Sequence, residues 1–220
     1  WAKHMPGTAD GFTFVDLVFP GFLFIVGVSL PLALERRRAR GESLGRILGH
    51  IAVRAGSLLL LGVWLVNTSA FWPEATGLRR CVWYLLTGVA VVVLWSAPPA
   101  GGTWFRPRWL LGLRIVAALT LGGLLIVFRG KDHAGEAIWL QHSWWGILGL
   151  IGWAYLNCSL IYLVTRGNPT ALMGALGFLL ALYIGGRHGR LDWVGPLQQV
   201  VGIGDVLGST SANVLAGVLV

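Results

Sequence analysis

Hydrophobic residues run through this chain in long blocks, and polar residues are confined to the gaps between them. Six blocks, residues 15–34, 47–66, 81–95, 109–128, 144–164 and 170–184, are long enough, or nearly so, to cross a hydrocarbon layer. Such a crossing takes about 20 helical residues at a rise of about 1.5 Å each. A seventh block begins near Leu207. None alternates polar and apolar positions with a period of two, so the pattern predicts helices rather than the strands of a membrane barrel. The third and sixth blocks are short and are expected to extend through flanking Ser, Thr or Gly. The expected fold class is all-α, a polytopic transmembrane bundle of about six to seven helices, in a single transmembrane domain over residues 1–220.

The gaps carry turn chemistry. Residues 97–102 read Ala-Pro-Pro-Ala-Gly-Gly, a tight connector reads Arg166-Gly167-Asn168-Pro169, and another begins Phe71-Trp72-Pro73-Glu74. Gly146, Gly149 and Gly152 fall three apart, as do Gly174 and Gly177. That spacing either lets neighbouring helices approach closely or reflects how common glycine is in membrane helices. The chain starts at Trp1 and stops at Val220 within an apolar run. It reads as a piece of a longer protein, with helices expected beyond both ends.

Composition narrows the class. With 55% hydrophobic and 12% charged residues, about half of the polar surface of a soluble domain is missing. A globular cytosolic enzyme and a disordered tail are excluded. The net charge of +8 does not imply nucleic acid, because the cations lie between apolar runs rather than on one basic face. They report orientation instead. Arg36, Arg37, Arg38, Arg40 and Arg46 crowd the first connector, which is expected to face the cytoplasm. Alternation then puts Arg106, Arg108 and Arg166 on that side, and Lys3, His4, Asp10, Arg79, Arg129, Lys131 and His188 on the other. Cys81 and Cys158 both lie in apolar runs, which argues against a disulfide framework.

Ionisable groups in or beside a membrane core are costly and ask for a role. Asp16 heads the first block, and His4 lies twelve residues earlier in a turn-rich loop. Folding back would bring the imidazole to the carboxylate, giving a base able to take a proton from an amine or hydroxyl. The alternative is an exposed loop histidine and an aspartate capping a helix. His50 and Arg54 share a helix face at a spacing of four. Arg54 is deep enough to be expected on the bundle interior, paired with a carboxylate, a carbonyl or an anionic ligand. Arg114 is nearer its block's end and is expected to snorkel outward. His133, Glu136 and His142 match no metal-ligand spacing, so no metal is expected. Gly202-Ile203-Gly204 with Gly208 only imitates a dinucleotide loop, since no strand precedes it.

The stretch Asp10-Gly11-Phe12-Thr13-Phe14-Val15-Asp16-Leu17-Val18-Phe19-Pro20, with His4 before it and Phe22-Leu23-Phe24-Ile25-Val26-Gly27-Val28-Ser29 after it, resembles the signature of the heparan-alpha-glucosaminide N-acetyltransferase family in its bacterial branch. Arg54, Gly62 and Asn67 are similar to its second-helix pattern, and Leu78-Arg79 with Tyr84 to its Leu-Gln-Arg…Tyr stretch. Residues 144–155, Trp-Trp-Gly-Ile-Leu-Gly-Leu-Ile-Gly-Trp-Ala-Tyr, are similar to a run of the bacterial members. Gly21 stands where an aromatic is usual, and Leu78 where Gln is.

The resemblance implies a membrane acyltransferase that moves an acetyl group from cytosolic acetyl-CoA to an amino sugar or cell-envelope glycan on the far side. It implies His4 as general base or transient acetyl carrier, with Asp16 holding its tautomer. Arg36, Arg37 and Arg38 would meet the CoA phosphates, and Arg54 the pantetheine arm. The expected setting is multi-pass in the bacterial inner membrane, surrounded by lipid, with a homo-oligomer allowed and no nucleic-acid partner. Two other classes stay open: a transporter or flippase of a small anionic or sugar solute, and a non-catalytic membrane scaffold.

Overall fold

A helix begins where Thr13, in extended backbone, turns the chain into the first apolar block, and it runs through Pro20 and Pro31 as α1 (Phe14–Ala39). Prolines are tolerated inside membrane helices because neighbours re-satisfy the freed backbone. In the computed structural model, which describes residues 11–96, 107–132, 135–191, 193 and 195–220, α1 is followed by α2 (Leu44–Thr68), α3 (Pro73–Thr76), α4 (Arg80–Trp95) and α5 (Pro107–Val127). A hairpin of β1 (Gly130–Lys131) and β2 (Ala137–Ile138) comes next, paired Gly130 to Ile138. Then come α6 (Gly146–Thr165), α7 (Pro169–Arg187), α8 (Pro196–Val201), a π-helical segment (Ile203–Thr210) and α9 (Ser211–Val218).

Among the described residues, α1, α2, α5, α6 and α7 are long and apolar enough to cross a membrane. The protein is therefore an integral, multi-pass membrane protein of all-α class, as the hydropathy blocks imply. The sixth block does extend, to the 19 residues of α7. The third does not: α4 stops at 16 residues, about 24 Å. Gly77, in left-handed backbone at φ 75°, ends the short α3 just before it, and Ser96 returns to extended backbone after it. The seventh helical stretch starts earlier than Leu207. Gly202, at φ 68°, separates α8 from the π-helical segment, which hands over to α9 at Ser211.

The packing forms two compact units, and the division falls inside α2. The first comprises residues 1–63 and 143–220, the second residues 64–142. In the first, α1 presents the buried seam Leu23, Gly27, Leu30 and Leu34, a helical repeat of threes and fours. It packs with Ile51 and Ala55 of α2, Ala154 and Cys158 of α6, and Val214 and Leu215 of α9. Gly27 lies so close to α9 that a methyl there would overlap the Val214 carbonyl.

The second unit is held by an aromatic cluster. Trp83 stacks on Trp64 at 5.2 Å and on Phe71 at 4.6 Å, and meets Phe128 at 5.5 Å. Arg114 of α5 donates to the Ser96 carbonyl at 3.0 Å, at the end of α4.

Candidate functional site

The specific block of the sequence lies at the start of α1. Asp16 sits in the first turn, where partial positive charge from unpaired backbone N–H groups favours a carboxylate. Its Oδ2 accepts from the Thr13 backbone N–H at 2.8 Å and from the Thr13 hydroxyl at 2.9 Å. Asp16 is therefore a capping residue whose carboxylate is held in place. His4 lies outside the described residues.

The ends of the first unit are labelled by one bond. The Tyr162 hydroxyl donates to Glu35 at 3.1 Å, joining the C-terminal parts of α1 and α6. The start of α6 is consequently at the same end of this unit as Asp16. There the backbone is strained: Ser143 and Trp145 have φ of 45° and 68°. Left-handed backbone is unusual for a bulky residue and marks a position held by its surroundings. The hold on Trp145 is visible. Its Nε1–H donates to the Val200 carbonyl at 2.8 Å, and its ring stands edge-on to Trp153 at 5.5 Å.

A cavity of about 310 Å³ opens beside it, lined by Trp144, Trp145, Asp205 and Thr210 among others. Exposed indole and a carboxylate at one mouth can hold a polar ring with C–H faces, such as a sugar. Sequence reasoning missed this cavity. Its signals were Trp144-Trp145-Gly146 at a block's start and Asp205 beside glycines set aside as a false dinucleotide loop. Those glycines pack: a Cβ on Gly204 would meet Gly186 at 2.9 Å, and one on Gly208 the Tyr183 backbone N at 2.8 Å.

At the opposite end stands the arginine cluster. Arg37 pairs with Glu42 at 2.9 Å, and Arg38 with Glu35 at 2.9 Å. The Arg38 guanidinium also lies 6.0 Å from the centre of the Tyr162 ring. The Arg36 guanidinium is exposed and has no ion-pair partner among the described residues. A groove of about 650 Å³ runs along this end between Arg38 and Arg166.

Arg54 differs from the sequence expectation. It is exposed rather than turned into the bundle, with its guanidinium 5.0 Å from the centre of the buried Tyr155 ring. The π-face of the ring supplies the partial negative charge that a carboxylate was expected to supply. The remaining second-helix residues act structurally. A methyl on Gly62 would overlap the backbone of Gly149 and the Trp145 carbonyl, so α2 and α6 touch there. Buried Asn67 exchanges two hydrogen bonds with the Gln141 backbone, at 2.7 and 3.0 Å.

A family model described as a domain of unknown function (DUF5009) matches residues 2–193. Human heparan-alpha-glucosaminide N-acetyltransferase is 29% identical over 81% of this chain and 27% of its own length. The mouse protein of that name is 43% identical over 83% of this chain and 34% of its own. Protein HdeD of Escherichia coli K12 is 28% identical over 65% of this chain and 70% of its own. The chain thus spans between about a quarter and a third of the length of the two mammalian relatives. No solved structure matches it. With the family model covering α1 through α7 and the mammalian enzymes aligned over four fifths of the chain, this membrane protein belongs to the DUF5009 family and is homologous to heparan-alpha-glucosaminide N-acetyltransferase.

Proposed function

We propose that this chain forms part of a transmembrane acetyltransferase that uses acetyl-CoA to acetylate an amino sugar or cell-envelope glycan on the non-cytoplasmic side of a bacterial inner membrane. The observation that carries the reading is the fixed carboxylate of Asp16, held by Thr13 at the start of α1. It stands at the same end of its unit as the cavity bearing Trp144 and Asp205. The names of the mammalian relatives support the acetyl-transfer chemistry.

In this reading His4 accepts the proton of the acceptor amine as its nitrogen attacks the thioester carbonyl. The new C–N bond forms, the C–S bond breaks, and the leaving CoA thiolate takes the proton back from the imidazolium. Asp16 sets the tautomer of His4 and stabilises its charged form. Trp144 and Asp205 seat the acceptor ring. Acetyl-CoA arrives at the arginine-rich end. Arg36, exposed and without an ion-pair partner among the described residues, is the guanidinium offered to its phosphates. Arg54, partway along α2, donates to a carbonyl of the pantetheine arm.

The test is acetyl transfer from radiolabelled acetyl-CoA to glucosamine by the full-length protein in detergent. His4→Ala is expected to abolish transfer, and Asp16→Asn to lower kcat by about 100-fold or more. Undiminished turnover in His4→Ala overturns the assignment.

A further inference from the structure

The groove at the arginine-rich end has a composition that the acetyl-transfer reading does not use. Its walls are Leu44 and Leu48 from the first turns of α2 and Leu160, Leu163 and Val164 from the last turns of α6, with Arg38 and Arg166 at its rim. Val164 is 82% exposed and Leu44 60%, so the apolar wall opens outward from the protein. Around a helix long and apolar enough to span a membrane, that outward side meets acyl chains, and the helix ends lie at headgroup depth.

The two arginines are presented differently. Glu35 and the Tyr162 ring hold the Arg38 guanidinium over the groove. Arg166 caps α6 in left-handed backbone at φ 53°, directly before Gly167 at φ 73°. A Cβ on Gly167 would meet the Tyr162 hydroxyl at 3.0 Å. The turn is closed by the Gly167 N–H donating to the Tyr162 carbonyl at 3.2 Å, and by Asn168, whose side chain caps α7. Arginine fits left-handed backbone poorly, yet this turn projects it, and its guanidinium has no ion-pair partner among the described residues. The local charge is strongly positive: Arg36, Arg37, Arg38, Arg40, Arg46 and Arg166 face only Glu35 and Glu42 along the neighbouring segments.

We propose that this groove binds one anionic phospholipid of the adjoining leaflet, its phosphate between Arg38 and Arg166 and an acyl chain along Leu48, Leu160 and Val164. Basic pockets between membrane helices have the charge and depth such lipids need. Acetyl-CoA also carries phosphates and an extended arm. The groove favours the lipid because apart from its arginines the lining is aliphatic, with no aromatic or hydrogen-bonding side chain to seat a purine.

The test uses full-length protein in detergent, delipidated and then titrated with phosphatidylglycerol or phosphatidylcholine, with bound lipid counted by native mass spectrometry. Wild type is expected to retain phosphatidylglycerol over phosphatidylcholine. Arg166→Gln is expected to weaken that retention about fivefold, while Arg166→Lys keeps most of it. Arg166→Gly keeps the fold controlled, since glycine suits the left-handed position. Its melting temperature without lipid should equal or exceed wild type, while its lipid retention falls. Equal phosphatidylglycerol retention in wild type, Arg166→Gln and Arg166→Gly overturns the proposal. So does a result in which Arg166→Gln loses acetyl-CoA binding and keeps the lipid.

Discussion

Arg54 and Asp16 carry charge at a membrane helix in two different ways. Asp16 lies in the first turn of α1, where the helix end and Thr13 supply donors, so its carboxylate is satisfied locally. Arg54 lies further along α2 and leans on the face of Tyr155. The ring is buried and the guanidinium exposed, so the contact holds the charge against the protein without taking it into the core. Cation–π contacts of this kind contribute about 0.5–2 kcal/mol, more when water is excluded. A double-mutant cycle of Arg54→Gln and Tyr155→Leu, read by thermal unfolding in detergent, should give a coupling in that range. Strictly additive variants would mean that the ring does nothing for the charge.

Helix contacts in the first unit are set by where glycine meets backbone, and glycine spacing alone does not reveal which glycines do so. Gly27 of α1 meets Val214 and Gly217 of α9, and Gly217 in turn meets the Phe24 carbonyl. Gly62 of α2 meets Gly149 of α6, while Gly152 approaches Ala55 and Leu58. Gly149 and Gly152 of the α6 triplet therefore lie on a contact stripe against α2. Gly174 and Gly177 in α7 have the same spacing, and a Cβ on either would meet nothing within 4 Å. Gly27→Ala should cost about 1–3 kcal/mol, because the Val214 backbone cannot swing aside as a side-chain tip does. Gly174→Ala should be neutral or slightly stabilising, through helix propensity. Melting temperatures of the two variants in the same detergent check this. Equal values would mean that α1 and α9 do not meet as closely as described.

Within the first unit α1 and α6 run the same way, their C-terminal parts joined by Tyr162 and Glu35, and α7 runs back from the end of α6. The arginine-rich connector predicts that the shared end of α1 and α6 faces the cytoplasm. Arg40 follows the end of α1, and His188 follows the end of α7. With exposed Cys81 changed to Ala, and Cys158 left because it is fully buried, Arg40→Cys and His188→Cys should react with an impermeant maleimide from opposite faces. Arg40→Cys is expected to label only after the cytoplasmic face is opened. Labelling of both from one face would overturn this orientation. The two cavities of the first unit lie one beside the start of α6 and one beside its end.

That the chain crosses a membrane repeatedly, and where its long helices lie, was legible from residue order, because burying an unbroken apolar run in lipid depends on composition and length alone. The count was not, since about six to seven helices were expected and five are long enough to cross among the described residues. Asp16 as a helix cap and the connector Asn168-Pro169 before α7 were legible for an equally local reason, since a cap involves residues within one turn. Contacts between distant segments were not legible. Tyr155 beneath Arg54, Val200 bonded to Trp145, Gln141 clasped by Asn67 and Arg166 facing Arg38 across a groove each join residues far apart in the chain. Such pairings arise only when helices pack. The π-helical segment belongs with them: Gly204 and Gly208 lie against the backbone of α7, and that contact appears only once the two segments are brought together.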